Sequence, residues 1–202
     1  MTHRPPLGAP RVEIRLAGSG GQGIILAGLV LTEAVGIFEG REVAMVQSYG
    51  PEARGGASKA EIIISDLPID YPLCTQVDLL LAMTQDAADA FCRDLKPKAL
   101  VIVDRDLVPH PPTGRAIALP LTAAARDRLK SPVVANVIAL GVISEITDLV
   151  SRRSLEKVLL RKLSAEKETL NKKALSLGIR MAKVYARTGA SAEKTDAEAE
   201  DM

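Results

Sequence analysis

The chain has 202 residues, 26 Lys or Arg against 25 Asp or Glu and a formal net charge of +1, so neither nucleic acid nor an anionic membrane finds an electrostatic reason to bind it. Apolar residues reach 47%, enough for one domain with a real core, but aromatics are 2% and Trp is absent. The core must therefore be built from Val, Ile, Leu and Ala, and little is left for base stacking.

Residues 1–10 are polar and proline-rich, expected as a mobile arm rather than a signal peptide, and no apolar run is long or continuous enough to span a bilayer. A short apolar strand, Val12 to Leu16, then leads into Gly18-Ser19-Gly20-Gly21-Gln22-Gly23, which fits G-x-G-x-x-G. The dense apolar run after it predicts a helix from about Ile24 to Phe38, weakened by Gly36 and Gly40. The glycines thus fall on a strand-to-helix turn, where positive φ and close approach are allowed and the first helical N–H groups are free. Two roles fit equally: an anion site, or a tight turn that packs helix on sheet.

A dinucleotide site also wants an acid at the end of the second strand. That strand, near Val43 to Gln47, ends in Gln47 and Ser48, which disfavours NAD. Ser58 to Ser65 is a further strand only about ten residues on, too close for a parallel crossover, so the two are expected antiparallel in a mixed sheet. Between them lies Ser48-Tyr49-Gly50-Pro51-Glu52-Ala53-Arg54-Gly55-Gly56. Small neighbours leave the Arg54 guanidinium room to reach a carboxylate or phosphate, unless it is a plain surface arginine on a turn.

Asp66 to Pro72 reads as a turn. Val77 to Met83 is a continuous apolar strand of the doubly covered kind, followed by a helix from Gln85 to Leu95 with Thr84 as N-cap. Ala99 to Val103 is another buried strand, and Asp104, Arg105 and Asp106 beyond it read as a turn with solvated charges. Pro109 to Pro112 is a rigid loop whose His110 has no second histidine beside it, so a hydrolase triad has little support. A short strand near Ala116 to Leu119 and a helix from Thr122 to Lys130 follow. Val133 to Val150 is apolar on nearly all faces and belongs inside the domain or at a subunit contact. Its Asn136 must find hydrogen bonds if buried, by capping a neighbouring loop or by touching a ligand or partner. Helices from Ser154 and from Ser164 to Ala186 come next, and residues 188–202, without an apolar face, read as a disordered tail.

Strands alternating with helices define an α/β domain over residues 11–187: three Rossmann-like layers around a mixed, mostly parallel sheet with one antiparallel strand pair. Cys74 and Cys92 lack metal-ligand spacing and cannot alone hold an iron–sulfur cluster; they are expected as buried, reduced thiols in a cytoplasmic protein.

Taken together, Glu13 to Gly23, Ser48 to Gly56 and Ser65-Asp66-Leu67-Pro68-Ile69 resemble the gamma subunit of 2-oxoacid:ferredoxin oxidoreductases, closest to the 2-oxoglutarate branch. The resemblance implies a complex that converts a 2-oxoacid, CoA and oxidised ferredoxin into acyl-CoA, carbon dioxide and reduced ferredoxin. It implies thiamine diphosphate with Mg2+ on alpha and beta subunits, iron–sulfur clusters on a beta or ferredoxin-like delta subunit, and no cofactor held by this chain alone. The contact surface for CoA phosphate or a partner subunit would comprise Gly18, Ser19, Gly20, Gly21, Gln22, Gly23, Tyr49, Arg54, Gly55, Gly56 and Asn136, with no catalytic residue of its own. The indolepyruvate enzyme's small subunit and a free-standing nucleotide-binding α/β protein are the alternatives.

Overall fold

The computed structural model describes residues 10–48, 56–162 and 165–200. Most of the expected N-terminal arm lies outside them. Six strands form one mixed sheet in the order β2-β3-β1-β4-β5-β6, with β1 at Arg11–Ser19, β2 at Glu42–Ser48, β3 at Ala57–Ser65, β4 at Val77–Ala82, β5 at Leu95–Asp104 and β6 at Ile117–Leu119. β1 is parallel to β4, β4 to β5 and β5 to β6. β3 alone runs the other way, antiparallel to both β1 and β2. The expected β2–β3 antiparallel pair is present, and the same reversed strand makes a second antiparallel ladder with β1.

The helices are α1 (Ile24–Glu33), α2 (Gln85–Phe91), α3 (Leu121–Leu129), α4 (Ala135–Thr147), α5 (Arg152–Lys162) and α6 (Ala165–Glu200). The sheet's two faces are covered unequally. Val12, Ile14 and Leu16 of β1, with Ile62, Ile64, Leu79 and Leu81, pack under α1, α3, α4, α5 and α6 in the main core. On the opposite face Ala17, Leu80, Ala82, Val101 and Val103 meet Ala87 and Ala88 of α2.

Several boundaries differ from the sequence reading. The first helix changes to a π-helical segment at Ala34–Glu39 and stops at Gly40, whose φ of 73° no β-carbon obstructs. α2 ends at Phe91 rather than Leu95, because Leu95 is drawn into the sheet opposite Val77 and Asp94 is held by Arg15. Asp104 is fully buried, not solvated: it accepts hydrogen bonds from the amides of Asp106 and Thr122 at 3.1 and 2.7 Å, fixing the turn after β5 and the start of α3. The helical backbone of α6 continues to Glu200, past Ala186, since Ala, Glu and Lys favour helix without needing an apolar face.

α4 is buried along nearly its whole length and crosses α6 through glycines. A β-carbon on Gly178 would lie far inside van der Waals contact of the Ile138 carbonyl, and one on Gly141 would meet the Leu175 carbonyl. The two backbones touch there, antiparallel. Gly178→Ala is therefore expected to force the helices apart and cost about 2 kcal/mol or more in urea unfolding; a change within about 0.5 kcal/mol would contradict this crossing.

Candidate functional site

α1 and α2 follow adjacent parallel strands but lie on opposite faces, so the carboxyl ends of β1 and β4 form the topological switch point where open α/β sheets take ligands. The glycine turn sits there. Gly21 and Gly23 hold φ of 88° and 73°, and Gly23 is the N-cap of α1. The Gly23 carbonyl accepts the Ala27 amide at 2.9 Å and the Asn136 side-chain amide at 3.0 Å. Asn136 is only 3% exposed, and its oxygen takes the Val137 amide at 2.8 Å. A β-carbon on Gly23 would collide with the Asn136 amide nitrogen.

Gln22 closes the other side. Its side-chain oxygen accepts the Ser19 amide at 2.8 Å and its nitrogen donates to the Met83 carbonyl at 3.3 Å, joining the ends of β1 and β4. Thus the polar groups of Gln22 and Asn136 are both used inside the protein to hold the turn. Gly20 and Gly21 are exposed.

The second glycine segment ends beside the first. The β1–β3 register sets Ser19 opposite Ala57 and Gly18 opposite Ser58. The Gly20 amide donates to the Gly56 carbonyl at 3.3 Å, and the Ser58 hydroxyl donates to the Gly18 carbonyl at 3.2 Å. Of the expected contact residues, Gly18 to Gly23, Gly56 and Asn136 are thereby brought together. Tyr49, Arg54 and Gly55 lie outside the described residues; Ser48 and Gly56, which bracket them, flank the same hairpin.

The first-turn amides of α1 have no intrahelical partner by construction, no side chain caps them and no acid stands in that turn. Gly20 and Gly21 are the exposed part of this turn and Ile24 is 1% exposed, so an anion would approach the helix N-terminus from the glycine side. Residues 18–23 of the turn include no carboxylate, histidine or cysteine. His110 is exposed and engages Gln85 through its backbone, with its amide donating to the Gln85 oxygen at 3.0 Å. Among the described residues no three His, Cys, Asp or Glu side chains are grouped to hold a metal ion.

A second polar concentration, not foreseen, lies on the α2 side of the sheet. Arg15 donates to Glu61 at 2.9 Å, to the Phe91 carbonyl at 2.9 Å and to both oxygens of Asp94, the second at 2.7 Å. Glu13 accepts the amides of Thr75 and Gln76 at 2.6 and 2.9 Å. The visible signal was charge at alternate positions, Glu13 and Arg15, within an apolar strand. Burial works against the Arg15 charge, but its bonds to Asp94 and Glu61 prevail and raise its pKa. The bond from Arg15 holds Asp94 below the usual carboxylate range. Cys74, half-buried beside this network rather than fully buried, is pushed up to about 12 by burial and by Glu61 and Glu13, so its thiol stays protonated. This cluster is a brace between β1, β3 and the α2–β5 corner, not a reactive centre.

A mixed six-stranded sheet flanked by helices, with a glycine turn at the carboxyl ends of its parallel strands β1 and β4, defines the class as a Rossmann-like α/β domain. Residues 13–181 match the family model described as pyruvate ferredoxin/flavodoxin oxidoreductase. The 2-oxoglutarate synthase subunit KorC of Methanocaldococcus jannaschii is 43% identical over 177 residues, covering 86% of this chain and 95% of that one. The solved gamma subunit of a keto/oxoacid ferredoxin oxidoreductase from Geobacter sulfurreducens superposes with a TM-score of 0.80 at 42% identity, covering 88% of this chain and 99% of that one. A 2-oxoglutarate:ferredoxin oxidoreductase from Magnetococcus marinus, solved with 2-oxoglutarate, coenzyme A and succinyl-CoA bound, gives a TM-score of 0.78 at 26% identity, with 87% of this chain matching 32% of that longer one. The chain belongs to the pyruvate ferredoxin/flavodoxin oxidoreductase family, as a gamma-type subunit of a 2-oxoacid:ferredoxin oxidoreductase.

Two outcomes test this geometry. Asn136→Ala removes a buried bond to the turn and should lower stability by about 1 kcal/mol in chemical unfolding; no loss would mean the amide does not hold Gly23. Asp94 has its folded pKa depressed, so its contribution is complete above the unfolded value, about 3.9, and is lost as pH falls through the folded one. Asp94→Asn should therefore be less stable than the parent at pH 7, with the gap closing toward pH 2. A gap that stays constant across that range would refute the ion pair's role.

Proposed function

We propose that this subunit serves a complex that oxidises 2-oxoglutarate with CoA and oxidised ferredoxin to succinyl-CoA, carbon dioxide and reduced ferredoxin, and that its glycine turn with the Arg54 segment receives the phosphates of CoA. The carrying observation is the pairing of Gly20 with Gly56, which makes one polar edge of two segments far apart in sequence. The substrate follows the KorC relatives, and the ligand follows the Magnetococcus marinus structure, whose chain contains a region like this one.

In this reading Gly21 and the start of α1 present amides on a turn held in shape by Gln22, Asn136 and the Gly20–Gly56 bond. A phosphate therefore meets donors that need no rearrangement. Arg54, between an alanine and a glycine, would add a two-pronged contact to a phosphate. Thiamine diphosphate on alpha and beta subunits would supply the electron sink for decarboxylation. Cys74 and Cys92, with no further grouped ligands among the described residues, do not fit a cluster, so electrons must leave through partner subunits. No helix of the described residues is long and apolar enough to cross a membrane, and a cytoplasmic setting is part of the proposal.

The assembled complex carrying Arg54→Ala decides between ligand and subunit contact. A charge-assisted contact is worth about 1.5–3 kcal/mol, so KM for CoA should rise roughly 10- to 100-fold with the subunits still copurifying. Loss of the partner subunits from the purified material would instead assign the edge to assembly. Unchanged kinetics and unchanged assembly would remove both roles.

A further inference from the structure

Away from the glycine turn, a groove of about 480 Å3 runs between the last turn of α3 and residues 168–180 of α6. Its walls carry Arg128, Lys172, Lys173 and Arg180 against a single carboxylate, Glu168, in a chain whose total charge is only +1. Lys172 is taken up by Glu168 at 2.6 Å. Arg128, Lys173 and Arg180 are exposed and have no acidic partner among the described residues. Arg128 stands at the carboxyl end of α3, where the helix dipole accounts for one cation. Lys173 and Arg180 lie well inside α6 and have no such reason.

The groove is also amphipathic. The half-buried Leu129 and the aliphatic stems of the Lys and Arg walls give it apolar surface, while Leu177 beneath is 2% exposed and belongs to the core. Lys173 and Arg180 are two helical turns apart, about 10 Å along the axis. A small phosphate is usually gripped by converging donors and backbone amides, and apolar surface gives it nothing. Cations strung along two turns beside Leu129 instead match a polypeptide with carboxylates on successive turns and an apolar side chain between them.

We propose that the α3–α6 groove docks an acidic, amphipathic polypeptide segment of a partner protein. This site is separate from the phosphate edge and stands whether or not CoA binds there. A surface of this kind speeds encounter and fixes orientation by charge, and its affinity falls with salt.

The test uses the full chain and a fluorescein-labelled 16-residue helical peptide bearing Glu at every third or fourth position and one central Leu, read by anisotropy at 50 mM salt. Lys173→Glu with Arg180→Glu, and separately Arg128→Glu, should each weaken binding at least tenfold while circular dichroism and melting stay unchanged. A peptide with Lys replacing Glu should not bind, and raising salt to 300 mM should weaken the Glu peptide strongly. The proposal is overturned if the native chain does not bind the Glu peptide or if both charge-reversed chains bind it as the native one does. It is also overturned if sodium tripolyphosphate displaces it at equimolar concentration, which would mark a small-anion site.

Discussion

The pairing of β1 with β3 fixes most of what this subunit can do. Nine consecutive residues are in register, from Arg11 opposite Ser65 to Ser19 opposite Ala57. A slip of one residue would turn Ile62 and Ile64 out of the main core and Glu61 into it, so burial holds the register firmly. That register obliges the second glycine-rich segment to end where the first begins. On its other side β1 pairs with β4, from Ile14 opposite Leu79 to Ala17 opposite Ala82, which brings Met83 within reach of Gln22. One strand thus aligns both ends of the candidate site.

The same strand carries its charge on the face away from the main core. Arg15 ties β1 to Glu61 on β3 and to Asp94 and Phe91 at the α2–β5 corner. With Arg15 and Glu61 only 5% and 8% exposed, each charge depends on the others for the solvation it has lost. A thin cover, one short helix and a loop, is in this way pinned to the sheet by directional bonds where apolar area is limited. The costliest single loss is Arg15, which would leave the buried Glu61 with only Lys59, at 3.1 Å, as a cationic partner.

Elements governed by local pattern were readable before the structure. The glycine turn, the apolar strands, the antiparallel β2–β3 pair and the buried α4 all follow from spacing and periodicity. What escaped was set by residues distant in sequence. Asp104 reads as the first of three solvated turn charges, yet the amides of Asp106 and Thr122 converge on it inside the protein. The helix expected to reach Leu95 stops at Phe91 because β4 and Arg15 capture the residues after it. Glu13 and Arg15 look misplaced in an apolar strand until the facing carboxylates and loop amides are known. Hydrophobic period tells which face is buried, not which polar group waits opposite.

The site shows the same division at higher resolution. G-x-G-x-x-G announces a turn of special backbone shape but not what holds it. Gln22 and Asn136, both plausible as ligand contacts from sequence, spend their polar groups on Ser19, Met83, Gly23 and Val137. Among the described residues of the turn, what remains for a ligand is chiefly main chain, whose amides bind charge without accepting a proton. Under the proposed function such a turn would contribute orientation and electrostatics to a reaction, with bond-breaking on partner subunits. Rigidity would then matter as much as side-chain chemistry. An amide aimed in advance loses little entropy when a ligand arrives, and every bond made by Gln22 and Asn136 keeps the turn in one shape.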